Sequence, residues 1–136
     1  MPARSKARKR ALDVLYAAEM RGQDPVAALE AAVAEGEGPT NPYTETLVRG
    51  VGEHRARIDE LLGQYAEGWA LDRMPAVDRN ALRIGVFELL YADEVPDAVA
   101  VTEAVALVRD LSTDDSPSFV NGVLGSMMRD RDSLVG

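Results

Sequence analysis

The sequence predicts an all-α fold, and three observations carry that expectation. The chain is rich in Ala, Leu, Glu and Arg; its apolar residues recur at three- and four-residue spacing in segment after segment; and Gly, Pro and Asn break those segments at regular intervals. At 136 residues, with 46% hydrophobic and 28% charged side chains, the chain has the size and composition of one globular domain able to bury a core. The expected organisation is a single helical domain over 1–136, with a basic, partly flexible arm over about 1–10 and a frayed end over about 130–136.

Each element has its own warrant. Over residues 5–21, Ala7, Ala11, Val14 and Ala18 share one face with Leu12 and Leu15 beside it, and Gly22 ends the run. Pro25 at a first helical turn opens a shorter helix through Val26, Leu29 and Val33, which stops at Gly36-Glu37-Gly38-Pro39. Asn41 and Pro42 read as cap and first position of a third helix carrying Tyr43, Leu47, Val48 and Val51, with Gly50 and Gly52 expected to end it. Ile58, Leu61, Leu62 and Tyr65 then fall at i, i+3, i+4 and i+7, and Trp69 and Leu71 sit in the turn that follows.

From Val77 to Ala92 apolar residues nearly encircle the helix axis, so this helix is expected at the centre, with Asp78, Arg79, Arg83 and Glu88 as its polar exceptions. Residues 98–111 alternate at first like a strand, but Val101, Val105, Val108 and Leu111 settle a helix capped by Asp97. The last helix is expected to take Ser116 as cap and Pro117 as first residue, with Phe119, Val120, Val123, Leu124, Met127 and Met128 forming two apolar rows.

Charge is distributed unevenly. Arg4, Lys6, Arg8, Lys9 and Arg10 lie in the first ten residues with no acid among them, although the whole chain carries −8. The remaining body sets 23 acids against ten arginines, a net of −13. Such an end grips an anionic partner locally while the body repels polyanions at large, and nucleic acid is the first candidate. A solvated end that only aids solubility is the plainer reading. Against it, the cations run into a helix that presents Arg4 and Arg8 on one side and Lys6, Lys9 and Arg10 on another. Five phosphates neutralised on a single strand would give a salt slope near about −3.5, roughly a hundredfold loss of affinity between 50 and 200 mM salt. RNA read as a single strand also needs a stacking residue. Phe119, in the first turn of a helix whose amides can hold phosphate, is a candidate, with core packing on Val123 as the alternative. Arg79 and Arg83, at i,i+4, suit either a phosphate or pairing with acids.

Several chemistries are excluded or unsupported. Without cysteine there are no disulfides or thiolate metal sites, and one histidine, His54, cannot assemble a usual zinc or copper cluster, so no metal or cofactor is expected. No serine has the elbow context or histidine base of a hydrolase, and no phosphate-binding glycine loop is complete, so no enzyme is expected. Asp114 and Asp115 read as capping and dipole chemistry at a helix start rather than as a carboxylate pair, and His54 as an exposed helix-start residue. No stretch reaches the roughly 18 apolar residues of a membrane span. Asp13 and Glu19 interrupt any secretory apolar region, so the expected location is the cytoplasm.

Two blocks carry a family resemblance. Ala76-Val77-Asp78-Arg79-Asn80-Ala81-Leu82-Arg83-Ile84-Gly85-Val86-Phe87-Glu88-Leu89-Leu90 and Asp114-Asp115-Ser116-Pro117-Ser118-Phe119-Val120-Asn121-Gly122-Val123-Leu124 resemble, in the right order and behind a basic start, the NusB family of bacterial transcription antitermination factors. The likeness runs from the Arg-rich start and Ala11-Leu12-Asp13-Val14-Leu15-Tyr16 to about residue 128. It implies about seven helices in two packed subbundles. It also implies binding of the boxA element of ribosomal RNA operon transcripts together with NusE, a ribosomal protein, in an RNA polymerase antitermination complex. By the resemblance, Arg4, Lys6, Arg8, Lys9 and Arg10 fall in the RNA-binding arm, Asp115, Ser116 and Phe119 approach the RNA, and Tyr16 and Asp78 face NusE, where Asp78 could pair with a cation. Ser5 and Ala7 interrupt the run of cations that the family's arm often shows. A homodimer occurs among some members. The contrasting expectation is a helical interaction module that homodimerises and binds no RNA.

Overall fold

In the computed structural model, which describes residues 2–135, regular structure among the described residues consists of eight α-helices and one 3-10 turn, with no strand. In chain order these are α1 (Ala3–Met20), α2 (Pro25–Ala34), α3 (Pro42–Glu53), α4 (Arg55–Tyr65), the 3-10 turn Leu71–Arg73, α5 (Ala76–Tyr91), α6 (Asp97–Leu111), α7 (Ser116–Arg129) and α8 (Arg131–Leu134). Two helices start at the expected prolines, Pro25 and Pro42, each behind a capping side chain. Asp24 Oδ2 accepts from the Ala27 amide at 2.9 Å ahead of Pro25, and Asn41 Oδ1 accepts from the Tyr43 amide at 2.9 Å ahead of Pro42.

Three boundaries differ, each for a tertiary reason. Asp97 is the first residue inside α6 rather than its cap, and its carboxylate pairs with Arg131 at 3.2 Å. Ser116 likewise lies inside α7, behind Asp115, because its hydroxyl is bonded across to α5. Gly50 and Gly52 do not end α3; a Cβ on Gly52 would stand 2.6 Å from Val26 Cγ2, so this glycine permits a close approach of α2 and α3.

The helices cluster into two compact units, Met1–Glu53 and His54–Gly136. In the first, α1 packs on α2 and α3, and Ala11, Leu12, Leu15, Leu29, Leu47 and Val51 are buried. Thr44 Oγ1 donates to the Ala7 carbonyl at 3.0 Å and Asn41 Nδ2 to the Ala3 carbonyl at 3.2 Å, so two side chains of the α3 start anchor the first turns of α1.

In the second unit α5 is the central helix, packed by α4, α6, α7 and α8. Ala81, Leu82, Ile84, Val86 and Leu89 are buried around its axis. Gly85 lets both neighbours approach: a Cβ there would meet Leu124 Cδ1 at 2.6 Å and Ala104 Cβ at 3.1 Å. Buried Arg83 makes a two-point contact with Asp59, Nε to Oδ1 at 2.9 Å and Nη2 to Oδ2 at 3.1 Å, while Nη1 donates to Asn80 Oδ1 at 3.1 Å. Arg55 donates to the same Asp59 at 2.7 Å. Past Arg129 the chain forms the short α8, where Arg131 Nε donates to the Leu89 carbonyl at 2.9 Å. Among the described residues, no helix is long and apolar enough to cross a membrane.

Candidate functional site

The basic residues occupy the first turns of α1. Arg4, Lys6, Lys9 and Arg10 are exposed, and Arg8 is buried at 3% exposure. Arg4 and Arg8 do share one side: their guanidinium carbons lie 4.5 and 5.8 Å from the centre of the Tyr43 ring, within cation–π range. The other side carries Lys6 and Arg10, which line a cavity of about 310 Å³ with Pro39, Thr40, Asn41 and Thr44. Two cations beside the exposed Thr40 form a chemically suitable seat for a phosphate oxygen. Tyr16, 38% exposed, and Met20, 54% exposed, stand one helical turn apart further along α1.

A second cluster gathers in the other unit at the starts of α5 and α7. Ser116, 1% exposed, donates its hydroxyl to Asp78 Oδ2 at 2.8 Å and accepts from the Thr113 amide at 3.2 Å. Asp78 is itself only 3% exposed, and its other oxygen, Oδ1, has no hydrogen-bond partner. Asp78 contributes to a cavity of about 510 Å³ lined also by Trp69, Arg73, Asp115, Ser116 and Phe119. Asp115 precedes α7 without making a side-chain cap bond, so its exposed carboxylate borders the cavity instead of closing the helix.

Phe119 is half-buried rather than a core residue; its ring lies 5.9 Å from that of Trp69, inclined by 52°. The two rings also line a further cavity, of about 520 Å³, with Tyr65 and Val123. Trp69, 52% exposed, and Arg73 are members of this cluster that sequence reasoning passed over. The available signal was a single tryptophan placed in a polar turn instead of a helix core.

Arg79 and Arg83 diverge. Arg83 is committed to Asp59 and Asn80, whereas Arg79 Nη1 donates to the Leu71 and Met74 carbonyls at 2.7 and 2.9 Å and so braces the 3-10 turn next to Trp69. His54 is half-buried rather than exposed: its ring stacks on Tyr91 with centroids 3.8 Å apart and planes 9° from parallel. Among the described residues, no group of three or more His, Asp and Glu side chains could hold a metal ion.

An all-helical chain with a cationic helix start, and with an aromatic cavity floored by a buried carboxylate, belongs in class with small helical binding proteins. Its family is definite. The chain belongs to the NusB family, whose model matches residues 5–129. It is 75% identical over 134 residues to the transcription antitermination protein NusB of a Nocardioides species, covering 98% of this chain and 99% of that one. Among solved structures, NusB of T. maritima superposes with a TM-score of 0.83 at 30% identity, covering 96% of this chain and 93% of that one. A NusB chain from a crystal structure of antitermination factors NusB and NusE in complex with double-stranded RNA superposes with a TM-score of 0.79 at 30% identity, covering 93% of this chain and 96% of that one.

Proposed function

We propose that this chain, a transcription antitermination factor by family, is a non-catalytic adaptor. In this reading it binds the boxA element of ribosomal RNA operon transcripts together with NusE and joins elongating RNA polymerase to carry it through terminators. The observation that carries the reading is the placement of Arg4, Lys6, Lys9 and Arg10 on the exposed first turns of α1, in a chain whose remaining body is strongly acidic. Arg8 supports that arm from beneath through Tyr43. Phe119 and Asp115 contribute at the start of α7, and Ser116 acts from its buried position by holding Asp78.

Tyr16, with Met20 beside it, offers NusE an exposed apolar strip on α1. A partner's group would reach Asp78 only through the mouth of its cavity, since the residue is 3% exposed. Coincidence binding is the mechanism: contacts to RNA and to NusE, each weak alone, combine on one scaffold at high effective concentration and select transcripts that carry the element. Size-exclusion chromatography of the chain with NusE and a boxA RNA tests this. A ternary species that forms with boxA RNA and not with a scrambled RNA is expected. Elution of the chain as a homodimer that excludes both partners would favour the interaction-module reading instead.

A further inference from the structure

The groove between α1 and α2 lies beyond the basic arm. We propose that it docks a short acidic segment of another protein, taking one apolar side chain into a slot and pairing the neighbouring carboxylate with Arg21. Arg10, Val14, Ala17 and Arg21 fall at i, i+4, i+7 and i+11, which places them on one face of α1. That face and α2 border a cavity of about 180 Å³. Ala18 and Leu29, 2% and 1% exposed, form its floor, and Val14, Ala17, Ala28 and Ala32 are half-buried walls.

Size and wall chemistry select the occupant. A cavity of about 150 Å³ accommodates a benzene-sized group, so this one holds a single leucine or phenylalanine side chain. Pockets that enclose a free small molecule run to about 300–1,000 Å³. The slot is smaller than these, and Asp13, Arg21 and Gln23 on its rim are exposed, so it suits a side chain delivered by a segment lying across it. A nucleobase has a similar size, but the aliphatic walls leave its polar edge without partners.

Charge selects the flanking residues. Arg10 and Arg21 stand toward the two ends of the slot, roughly 16 Å apart along the helix axis, in a chain whose body is strongly acidic. Asp13, three residues from Arg10, offsets that cation and directs the carboxylate to Arg21. Among the described residues, no acid of the chain pairs with Arg21, and its planar guanidinium suits a two-point contact with a carboxylate. A basic segment would instead meet two arginines against one aspartate.

The test follows methyl and amide magnetic resonances of the full chain while a capped peptide is added, one phenylalanine flanked on each side by two glutamates. Ring-current shifts at Val14, Ala28 and Ala32 are expected. A peptide with alanine at its centre should bind about tenfold more weakly, and one with lysines in place of the glutamates should leave these resonances unmoved. Arg21→Glu, at an exposed position, should weaken the acidic peptide by about tenfold and admit the lysine peptide. Absence of these shifts, equal binding of the phenylalanine and alanine peptides, or binding that Arg21→Glu leaves unaffected overturns the site. Shifts at Ala28 and Ala32 produced by single-stranded boxA RNA and not by the peptide assign the slot to RNA and overturn it too. None of these outcomes contradicts the RNA-binding reading, on which this inference does not rest.

Discussion

The Ser116 hydroxyl donates to Asp78 Oδ2 at 2.8 Å, and this bond ties the start of α7 to the start of α5 across 38 positions of sequence. Both residues are buried, so Ser116→Ala would leave a second oxygen of Asp78 without a partner and the Thr113 amide without its acceptor. We expect a loss of about 2 kcal/mol in urea denaturation. An unchanged midpoint would show that the bond contributes nothing.

The exposed and buried cations of α1 should separate cleanly. Lys6→Ala with Arg10→Ala removes two exposed charges that line one cavity, and should weaken RNA binding at an unchanged melting temperature. With two fewer phosphates neutralised on a single strand, the salt slope should fall by about 1.4. Arg8→Ala should instead cost about 1–2 kcal/mol of stability, because its buried guanidinium packs on Tyr43. A stability loss in the double variant, or none in Arg8→Ala, would reverse the assignment.

Much of this was legible in the sequence, and the failures share a cause. Helix periods, the Pro25 start and the Asn41-Pro42 start depend on neighbouring residues, so they can be read locally. Gly52 looked like a stop because Val26, the side chain it makes room for, lies 26 positions away. Ser116 looked like a cap because Asp78 lies 38 positions away, and Arg8 looked like an exposed cation because Tyr43 lies 35 positions away. The cavity needed Trp69 and Arg73 from a turn with no periodic signal. Charge asymmetry and sequence blocks pointed to RNA, but burial of individual side chains is a tertiary property.

The Arg83 and Asp59 pair should behave asymmetrically. Arg83→Ala leaves Asp59 part-exposed and still bonded to Arg55, and should cost roughly 3 kcal/mol. Asp59→Ala takes the two-point carboxylate contact from a buried guanidinium and should cost more, toward roughly 5 kcal/mol. Denaturation of both variants checks the order, and equal small losses would refute it.

Arg79 should act through the turn it braces. Arg79→Ala removes the donor to the Leu71 and Met74 carbonyls and should loosen Trp69. Faster amide exchange over residues 69–74 and a lower steady-state anisotropy of tryptophan emission are expected. An unaltered tryptophan signal would place the support for that turn elsewhere.

Tyr65 donates to Asp130 at 2.7 Å, and this bond, with lesser contributions from burial and the carboxylate's charge, raises its pKa above the usual 10.0. Because the folded value is raised, the contribution of this bond is fully present below about pH 10 and is lost as pH rises through the folded pKa. In ultraviolet titration one of the four tyrosines should ionise late, and Asp130→Asn should bring it earlier. A titration curve identical in the two proteins would contradict the bond.

The central claim, that a cationic helix start on an acidic body serves sequence-selective RNA binding, is tested most directly by anisotropy titrations across a salt series. The RNAs are a single-stranded boxA RNA, a scrambled strand of equal length and a duplex, each with and without NusE. Four exposed cations, each neutralising one phosphate, predict a slope of about −2.8 on the single strand, roughly a fiftyfold loss between 50 and 200 mM salt. The account predicts that slope, with the boxA strand bound tightest and tighter still with NusE. Equal affinity for boxA and scrambled strands in the presence of NusE, or binding that is insensitive to salt, would contradict it.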